Sequence, residues 1–275
     1  MIKKIIHIAD IHIPNSEDER PYSEMLEDFL TELYKIVKDD NPENIRIVIA
    51  GDTFCQKIKT SNEANIMFHK MLNYLNAIAK TIVIAGNHDM LERNTDKKDS
   101  ITPTFEIHNV YNNVTYLDKS LNYHSGVVID ANVIWVLYSM FDKFKQPETN
   151  NLRQTYPNHK IIGLYHGDIP GATTDVGIQI EKGVSTDIFN ECDCVMAGHI
   201  HKFQEIKHNG VPIVYAGSLF QQNCGENVTG HGFVIWDVET MTYKHHTVPN
   251  SHNIYKFTIS SYEDVKENKE RLVNY

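Results

Sequence analysis

Five short apolar segments of this sequence each end in a residue that could bind a metal ion. The donor residues are Asp10 and His12, Asp52, Asn87, His166, and His199 and His201. One such residue alone would be more typical of a capped strand than of a metal site. Delivered five times in the same way, oxygen and imidazole donors indicate a metal site instead. No matching set of thiolates accompanies them, which argues against a structural zinc site.

Two of the segments are near copies of each other, namely Ile47–Asp52 (IVIAGD) and Ile82–Asn87 (IVIAGN). Runs of β-branched apolar residues predict buried strands of a parallel sheet. The glycine before each donor allows the backbone to turn sharply and to approach a neighbouring group closely. Open α/β sheets place their sites at the carboxyl ends of the strands. We therefore expect Asp52 and Asn87 to lie at one edge of one sheet.

The rest of the chain supplies the elements that would position these donors. Helical periodicity predicts helices over residues 24–38 and 61–79, the second capped by Ser61 and burying Ile66 among its apolar residues. Residues 167–183 form a long loop, a type that is usually functional. Four strands near 203–207, 211–216, 232–238 and 243–248 are expected to form a meander, with a tight turn at 208–210.

Length and composition restrict the class of protein. A chain of 275 residues with 41% hydrophobic residues can build one large domain, alone or with a small appendage. The net charge of −10 is unfavourable for a simple nucleic-acid binder, which usually carries a basic face. Four scattered cysteines indicate a reduced, intracellular protein, and no apolar run is long enough to span a membrane. We therefore expect a cytoplasmic protein that is not secreted, located inside the host cell if its source is a phage or virus.

In sequence order, the donor motifs match those of a known family. Asp10-x-His12, Gly51-Asp52, Gly86-Asn87-His88-Asp89, His166-Gly167 and Gly198-His199-x-His201 resemble the calcineurin-like metallophosphoesterases over about residues 3–250. The resemblance implies an α/β fold, a four-layer α-β-β-α sandwich with mixed sheets. Within the family, the segments after His201 are similar to the SbcD-like DNA nucleases, including phage and viral recombination endonucleases.

The resemblance also implies how the donors divide between two divalent ions. Asp52 would bridge both ions. Asp10, His12 and His201 would complete one ion, and Asn87, His166 and His199 would complete the other. Mixed oxygen and imidazole donors favour Mn²⁺, with Fe or Mg²⁺ as alternatives. The ions would activate water to hydrolyse a phosphodiester.

Two residues beside the ligands are expected to take part in catalysis. His88 resembles the catalytic histidine of the family, which would stabilise the phosphoryl oxygen or protonate the leaving alkoxide. Asp89 would orient His88. Cys55 stands where the family often has a second acidic residue. Lys57 and Arg93 lie in the donor loops, where they are either phosphate contacts or solvated side chains, and His7 is expected to be packed in the core.

The implied function is that of a DNA repair or recombination nuclease, cleaving exo- or endonucleolytically and working with an SbcC-like, SMC-type ATPase. The chain could also form a homodimer, and no interaction with a membrane is expected. The alternative is a phosphodiesterase or phosphatase on nucleotides or phosphoproteins with the same chemistry, and a further rival is a structural subunit with a vestigial site. The nuclease domain is expected over residues 1–250. Residues 251–275, a strand at 254–259 and a charged helix from Ser261 to Tyr275, would be a linker and the start of a small capping unit.

Overall fold

The computed structural model describes residues 1–17, 20–107, 111–142 and 145–273. The strands are β1 (Lys4–Ile8), β2 (Ile45–Ala50), β3 (Lys80–Ile84), β4 (Val114–Tyr116), β5 (Gly126–Asp130), β6 (Val133–Tyr138), β7 (Lys160–His166), β8 (Cys194–Gly198), β9 (Gln204–His208), β10 (Val211–Tyr215), β11 (Gly232–Asp237) and β12 (Thr242–Thr247). The helices are α1 (Tyr22–Val37), α2 (Asn62–Ile78), α3 (Thr102–Ile107), α4 (Leu117–Ser120), α5 (Leu152–Thr155) and α6 (Tyr262–Val273).

The strands form two mixed sheets of six strands each. The first has the order β12-β11-β1-β2-β3-β4, and the second has the order β5-β6-β7-β8-β10-β9. In the first sheet β1 to β4 are parallel, and β11 is antiparallel to β1. In the second sheet β6, β7, β8 and β10 are parallel, between antiparallel edge strands β5 and β9. The prediction that β2 and β3 are parallel neighbours is confirmed.

Alternate residues of the first sheet face two different apolar layers, as the pleat of a strand requires. Ile6, Ile47 and Val83 pack against α1 and α2 on one side. Val48 and Ile84 face the second sheet and share a core with Trp135 and Trp236. The two sheets therefore pack face to face with helices outside the first sheet, which confirms the sandwich.

The outer side of the second sheet is covered differently. Phe189, Cys192 and Ile169 pack on it from a 3-10 turn at Thr186–Phe189 and from the surrounding loops. This fourth layer is thin, because short turns and the long loop after β7 take the place of long helices.

Helix α2 begins as predicted. The Ser61 hydroxyl accepts a hydrogen bond from the backbone N–H of Ala64 at 3.0 Å. The prediction that Ile66 is buried is wrong, since its side chain is 56% exposed and Phe68 is buried instead. The apolar stripe of this helix is narrower than a count of its apolar residues indicates.

Two predictions about the C-terminal third are corrected. The four strands after His201 do not form a meander, because β9 and β10 pair in the second sheet while β11 and β12 pair in the first. Residues 254–259 form no strand. The backbone of Ile254 instead bonds to the buried side chain of Gln221, with its N–H donating to Oε1 at 2.7 Å and its carbonyl accepting from Nε2 at 3.0 Å. Alternation of apolar residues indicates a strand, but it does not show whether a neighbouring strand is available to pair with it.

The charged helix of the tail is present as α6. Ser261 caps it through a hydrogen bond from the Asp264 backbone N–H to its hydroxyl. The predicted end at Tyr275 lies outside the described residues, as does Asn274.

Candidate metal centre

The predicted donors come together from both sheets. In the first sheet, Asp10 and His12 follow β1, Asp52 follows β2, and Asn87 follows β3. In the second sheet, His166 ends β7, and His199 and His201 follow β8. The donors therefore converge where the carboxyl ends of parallel strands in the two sheets meet.

The backbone at these strand ends is strained to bring the side chains together. Asp10, His12, Asp52 and His199 have positive φ angles of 50°, 53°, 51° and 103°, a region that side-chain-bearing residues rarely adopt. Such strain is usual at functional sites, where surrounding contacts hold it in place. Here the loops after β1 and β2 are tied together, because the His12 N–H donates to the Asp52 carbonyl at 3.0 Å.

Gly51 and Gly86 have a steric reason to be glycine. A Cβ atom at Gly51 would lie 2.3 Å from Nδ1 of His166, and one at Gly86 would lie 2.2 Å from the carboxylate of Asp52. The repeated glycine of the two similar segments therefore makes room for the donors themselves.

One group of donors consists of Asp10, His12 and His201, whose candidate ligand atoms all lie within 4.8 Å of one another. Nε2 of His12 lies 3.0 Å from Nε2 of His201. The Asp10 carboxylate is fixed by the backbone N–H of His199, which donates to it at 2.9 and 3.0 Å.

A second group consists of Asp52, His166 and His199, with Asn87 beside it. The Asn87 amide oxygen lies 2.7 Å from Nδ1 of His199 and 3.2 Å from Nε2 of His166. The two oxygens of Asp52 face different groups, with Oδ1 3.3 Å from Nε2 of His166 and Oδ2 3.7 Å from Nε2 of His12. Asp52 thus has the position that a bridging carboxylate needs.

In three imidazoles, the outer ring nitrogen, which is the one that does not face the other donors, contacts an oxygen. Nδ1 of His166 lies 2.8 Å from the Ala50 carbonyl, and Nδ1 of His201 lies 2.8 Å from Glu226. Nε2 of His199 lies 3.2 Å from Asp168. If each outer nitrogen donates its N–H, the inner nitrogen is left with a lone pair directed at the other donors. A divalent ion bound to these inner atoms, which lie 2.7–3.2 Å apart, would offset the repulsion between their lone pairs. The donor set therefore fits two divalent ions.

The electrostatics of the site favour metal binding. Burial opposes ionisation of Asp52, but His166 and His12 together with the backbone N–H of His88 hold its pKa below the ordinary value. Burial lowers the pKa of His12 to about 3, so that its ring is neutral. Burial also acts against protonation of His166, yet Asp52 and Asp10 raise its pKa to about 9. The His166 proton is one that a metal ion would displace.

His88 lies at the edge of the centre. Its Nδ1 is 2.8 Å from the Cys55 carbonyl, and its ring centroid is 4.9 Å from that of His12. His12, Asp52 and His88 form a third group with ligand-forming atoms within 4.8 Å. Since the backbone of Cys55 makes the contact, the absence of an acidic side chain at this position does not deprive His88 of its support.

The prediction that Asp89 orients the ring of His88 is not what the structure shows. The Asp89 carboxylate is fully buried and accepts hydrogen bonds from the backbone N–H groups of Thr53, Phe54 and Gly86, at 3.2, 3.0 and 2.9 Å. Burial and then the charge of Asp52 raise its pKa to about 8. Asp89 joins the loops after β2 and β3 and so acts on the site through the backbone.

Two carboxylates that contact the donors, Glu226 and Asp168, are not among the residues predicted from the sequence. Glu226 is 9% exposed and accepts from the backbone N–H of Gln222 at 2.8 Å and the amide of Asn223 at 2.7 Å, besides contacting His201. Both carboxylates lie in irregular segments with no periodic pattern. The QNCGE sequence at 222–226, polar and yet next to a buried stretch, was the available signal.

Comparison with known proteins places this centre in a family. Residues 3–203 match the profile of the calcineurin-like phosphoesterases. The chain belongs to this family. Members of this family hydrolyse phosphoester bonds and bind two divalent metal ions.

Individual relatives are more distant. An uncharacterized protein of Acanthamoeba polyphaga mimivirus is 33% identical over 246 residues, which is 86% of this chain but 17% of the viral protein. The SbcD component of the SbcCD nuclease of Staphylococcus saprophyticus is 24% identical, with 90% of this chain and 68% of the relative covered. A probable cyclic nucleotide phosphodiesterase of Vesicomyosocius okutanii is also 24% identical, with 83% and 91% covered. The chain thus spans about one-sixth of its viral relative.

The fold comparison agrees with the family. The crystal structure of TT1561 from Thermus thermophilus matches with a TM-score of 0.50 at 10% identity, over 90% of this chain and 100% of that one.

Within the described part of the chain, no helix is both long and apolar enough to cross a membrane.

Proposed function

We propose that this chain is a DNA nuclease that hydrolyses phosphodiesters at the two-ion centre. The observation that carries the proposal is that cavities flank the centre on two sides. A cavity of about 360 Å³, here called the tyrosine cavity, is lined by Asn87, His166 and His199 and extends to Tyr138 and Tyr165. A second cavity of about 270 Å³, the hairpin cavity, is lined by His199 and His201 together with residues 174–176, Asn223, Gly225 and Glu226.

A phosphodiester bound at the centre would have room on both sides for the groups it joins. That arrangement suits an internal bond of a polymer, whereas a cyclic nucleotide carries one nucleoside. Lys145 lines the tyrosine cavity. A further cavity is lined by Lys57 and Arg93, and Glu92 lines both this cavity and the tyrosine cavity. In this proposal these cations would contact phosphates of the continuing strand.

Two bound ions, with Mn²⁺ expected from the donors, would orient the phosphate, stabilise its developing charge and activate the attacking water. Asp52 keeps its carboxylate ionised between the two groups of donors. His88, held through Nδ1 by the Cys55 carbonyl, would use Nε2 to carry a proton to the leaving alkoxide. Asp89 keeps the His88 loop against the Asp52 loop.

A partner with a basic surface belongs to the proposal. The net charge of −10 is unfavourable for gripping duplex DNA, since affinity depends largely on neutralising phosphates. The SbcCD relative is named as one part of a multi-subunit nuclease, and an SMC-type ATPase would supply such a surface. Residues 251–275 are the proposed beginning of a unit beyond the nuclease domain. We expect the isolated chain to bind duplex DNA no tighter than about 1 μM at physiological salt, the non-specific range.

The experiment is a comparison of substrates with Mn²⁺ and with Mg²⁺. End-labelled single-stranded DNA should be cleaved, and Mn²⁺ should support faster cleavage. A second candidate function, hydrolysis of cyclic nucleotides, is favoured by the name of one relative. Turnover of cyclic nucleotides without cleavage of DNA would replace the proposal with that candidate.

A further inference from the structure

A small hairpin stands beside the metal centre in the long loop after β7. Thr173 and Gln179 form an antiparallel bridge, and Thr174 and Ile178 are joined by a hydrogen bond from the Thr174 N–H to the Ile178 carbonyl at 2.9 Å. Gly177 makes the turn with a φ of 84°. The hairpin therefore has a defined shape although it belongs to a loop.

The base of the hairpin is fastened to the second sheet. The Gln204 side chain accepts from the Thr173 N–H at 2.8 Å and donates to the Thr173 carbonyl at 2.7 Å. Ala172, just before the hairpin, is fully buried. A support of this kind keeps the tip at a fixed distance from the centre.

The tip presents apolar side chains to water. Val176 is 64% exposed and Ile178 is 62% exposed. Single exposed apolar residues are common and need no explanation. Two β-branched side chains on a fastened turn beside a catalytic centre are different, because their position relative to a bound substrate is fixed.

One side of the hairpin lines a cavity next to the centre. Val176 lines the hairpin cavity together with His199 and His201. The same cavity contains Asp175 and Glu226, so its walls are acidic and would repel a phosphate. The uncharged part of a nucleotide therefore suits this cavity, which has acidic walls and the apolar side chain of Val176 in its lining.

On this basis, and resting on the proposed nuclease function, we infer that Val176 and Ile178 contact the bases of an unpaired DNA strand next to the cleaved phosphodiester. Aliphatic side chains pack against base faces, and proteins insert such side chains at base steps. In a duplex those faces are stacked against neighbouring bases, whereas in a single strand they are accessible. The hairpin thus makes unpaired DNA the preferred substrate.

The test uses the Val176→Ser/Ile178→Ser double variant of the full chain. Its steady-state kinetics with Mn²⁺ are measured on a single-stranded oligonucleotide, on an abasic oligonucleotide of the same length, and on methyl 4-nitrophenyl phosphate. Ile129→Ser is the matched control, because Ile129 is a 48% exposed aliphatic residue on edge strand β5. Circular dichroism melting checks that both variants fold.

The double variant should raise KM for the ordinary strand about tenfold, the order expected when two aliphatic side chains lose an apolar contact. Its kinetics on the abasic strand and on the small ester should match those of the unsubstituted chain, and Ile129→Ser should change nothing. An equal effect on ordinary and abasic strands, or no effect on either, overturns the inference while leaving the nuclease function intact. A change from dimer to monomer in light scattering would make the tip a contact between copies and would also overturn it. If the unsubstituted chain hydrolyses the ester but neither strand, the proposed function itself fails.

Discussion

Replacement of Glu226 by alanine should weaken one of the two metal sites. The Glu226 carboxylate lies 2.8 Å from Nδ1 of His201 and is nearly buried, so it can fix both the ring orientation and the nitrogen that carries the proton. Loss of such a partner typically costs 10–100-fold in metal affinity, or about 1.4–2.7 kcal/mol. Because the His201 side chain is 25% exposed, water can take over part of the contact. We therefore expect the lower half of that range, with a loss of about tenfold.

Isothermal titration of the metal-free chain with Mn²⁺ measures this effect without relying on activity. Two binding events are expected, and Glu226→Ala should weaken the event assigned to Asp10, His12 and His201. Glu226→Gln should lie between, since its amide oxygen can still accept from the imidazole. Asp187→Ala is the matched control, because it removes a carboxylate from His208, at 2.9 Å, outside the centre. Unchanged affinity at both sites in Glu226→Ala would refute the proposed support of His201.

Three further predictions concern the centre and the core. Asp52→Ala should lose both ions and all activity, because its two oxygens face both groups of donors; a variant that retains two metal ions by elemental analysis and cleaves normally would contradict the bridging role. His88→Ala should keep both ions but lose roughly 10²–10⁴ in rate, the range of general-acid catalysis; a fall in metal content would instead make His88 a ligand. Burial lowers the pKa of His7 from 6.5 to about 3, so the stability it allows is complete above pH 6.5 and falls as pH decreases toward 3. In urea titrations between pH 7 and 4.5, His7→Met should reduce this loss by about 1.4 kcal/mol per pH unit below 6.5, and equal losses in both proteins would be the contrary result.

The strand-end donors were predictable because they follow a local rule. An apolar run, a glycine and a donor specify a parallel strand and the edge at which it ends, so Asp52 and Asn87 could be placed together before their neighbours were known. The steric need for Gly51 became visible only with the second sheet, because His166 is the group that fills the space. Sequence order alone does not reveal that two sheets share one centre.

Other features depend on contacts that no local pattern encodes. The strands after His201 alternate in the same way, yet they divide between two sheets, since each hairpin takes the edge that is open to it. Residues 254–259 alternate like a strand but end against the Gln221 side chain. The partners of His199 and His201 come from irregular loops, where spacing carries little information.

The most direct test of the two-ion nuclease proposal compares the number of bound metal ions with the rate of DNA cleavage. Metal-free chain is titrated with Mn²⁺, and the initial rate of single-stranded DNA cleavage is measured at each ratio of metal to protein. A two-ion centre predicts a rate that rises to a plateau at two ions per chain, with Asp52→Ala inactive at every ratio. A plateau at one ion, or a chain that binds two ions and leaves DNA intact, would contradict it.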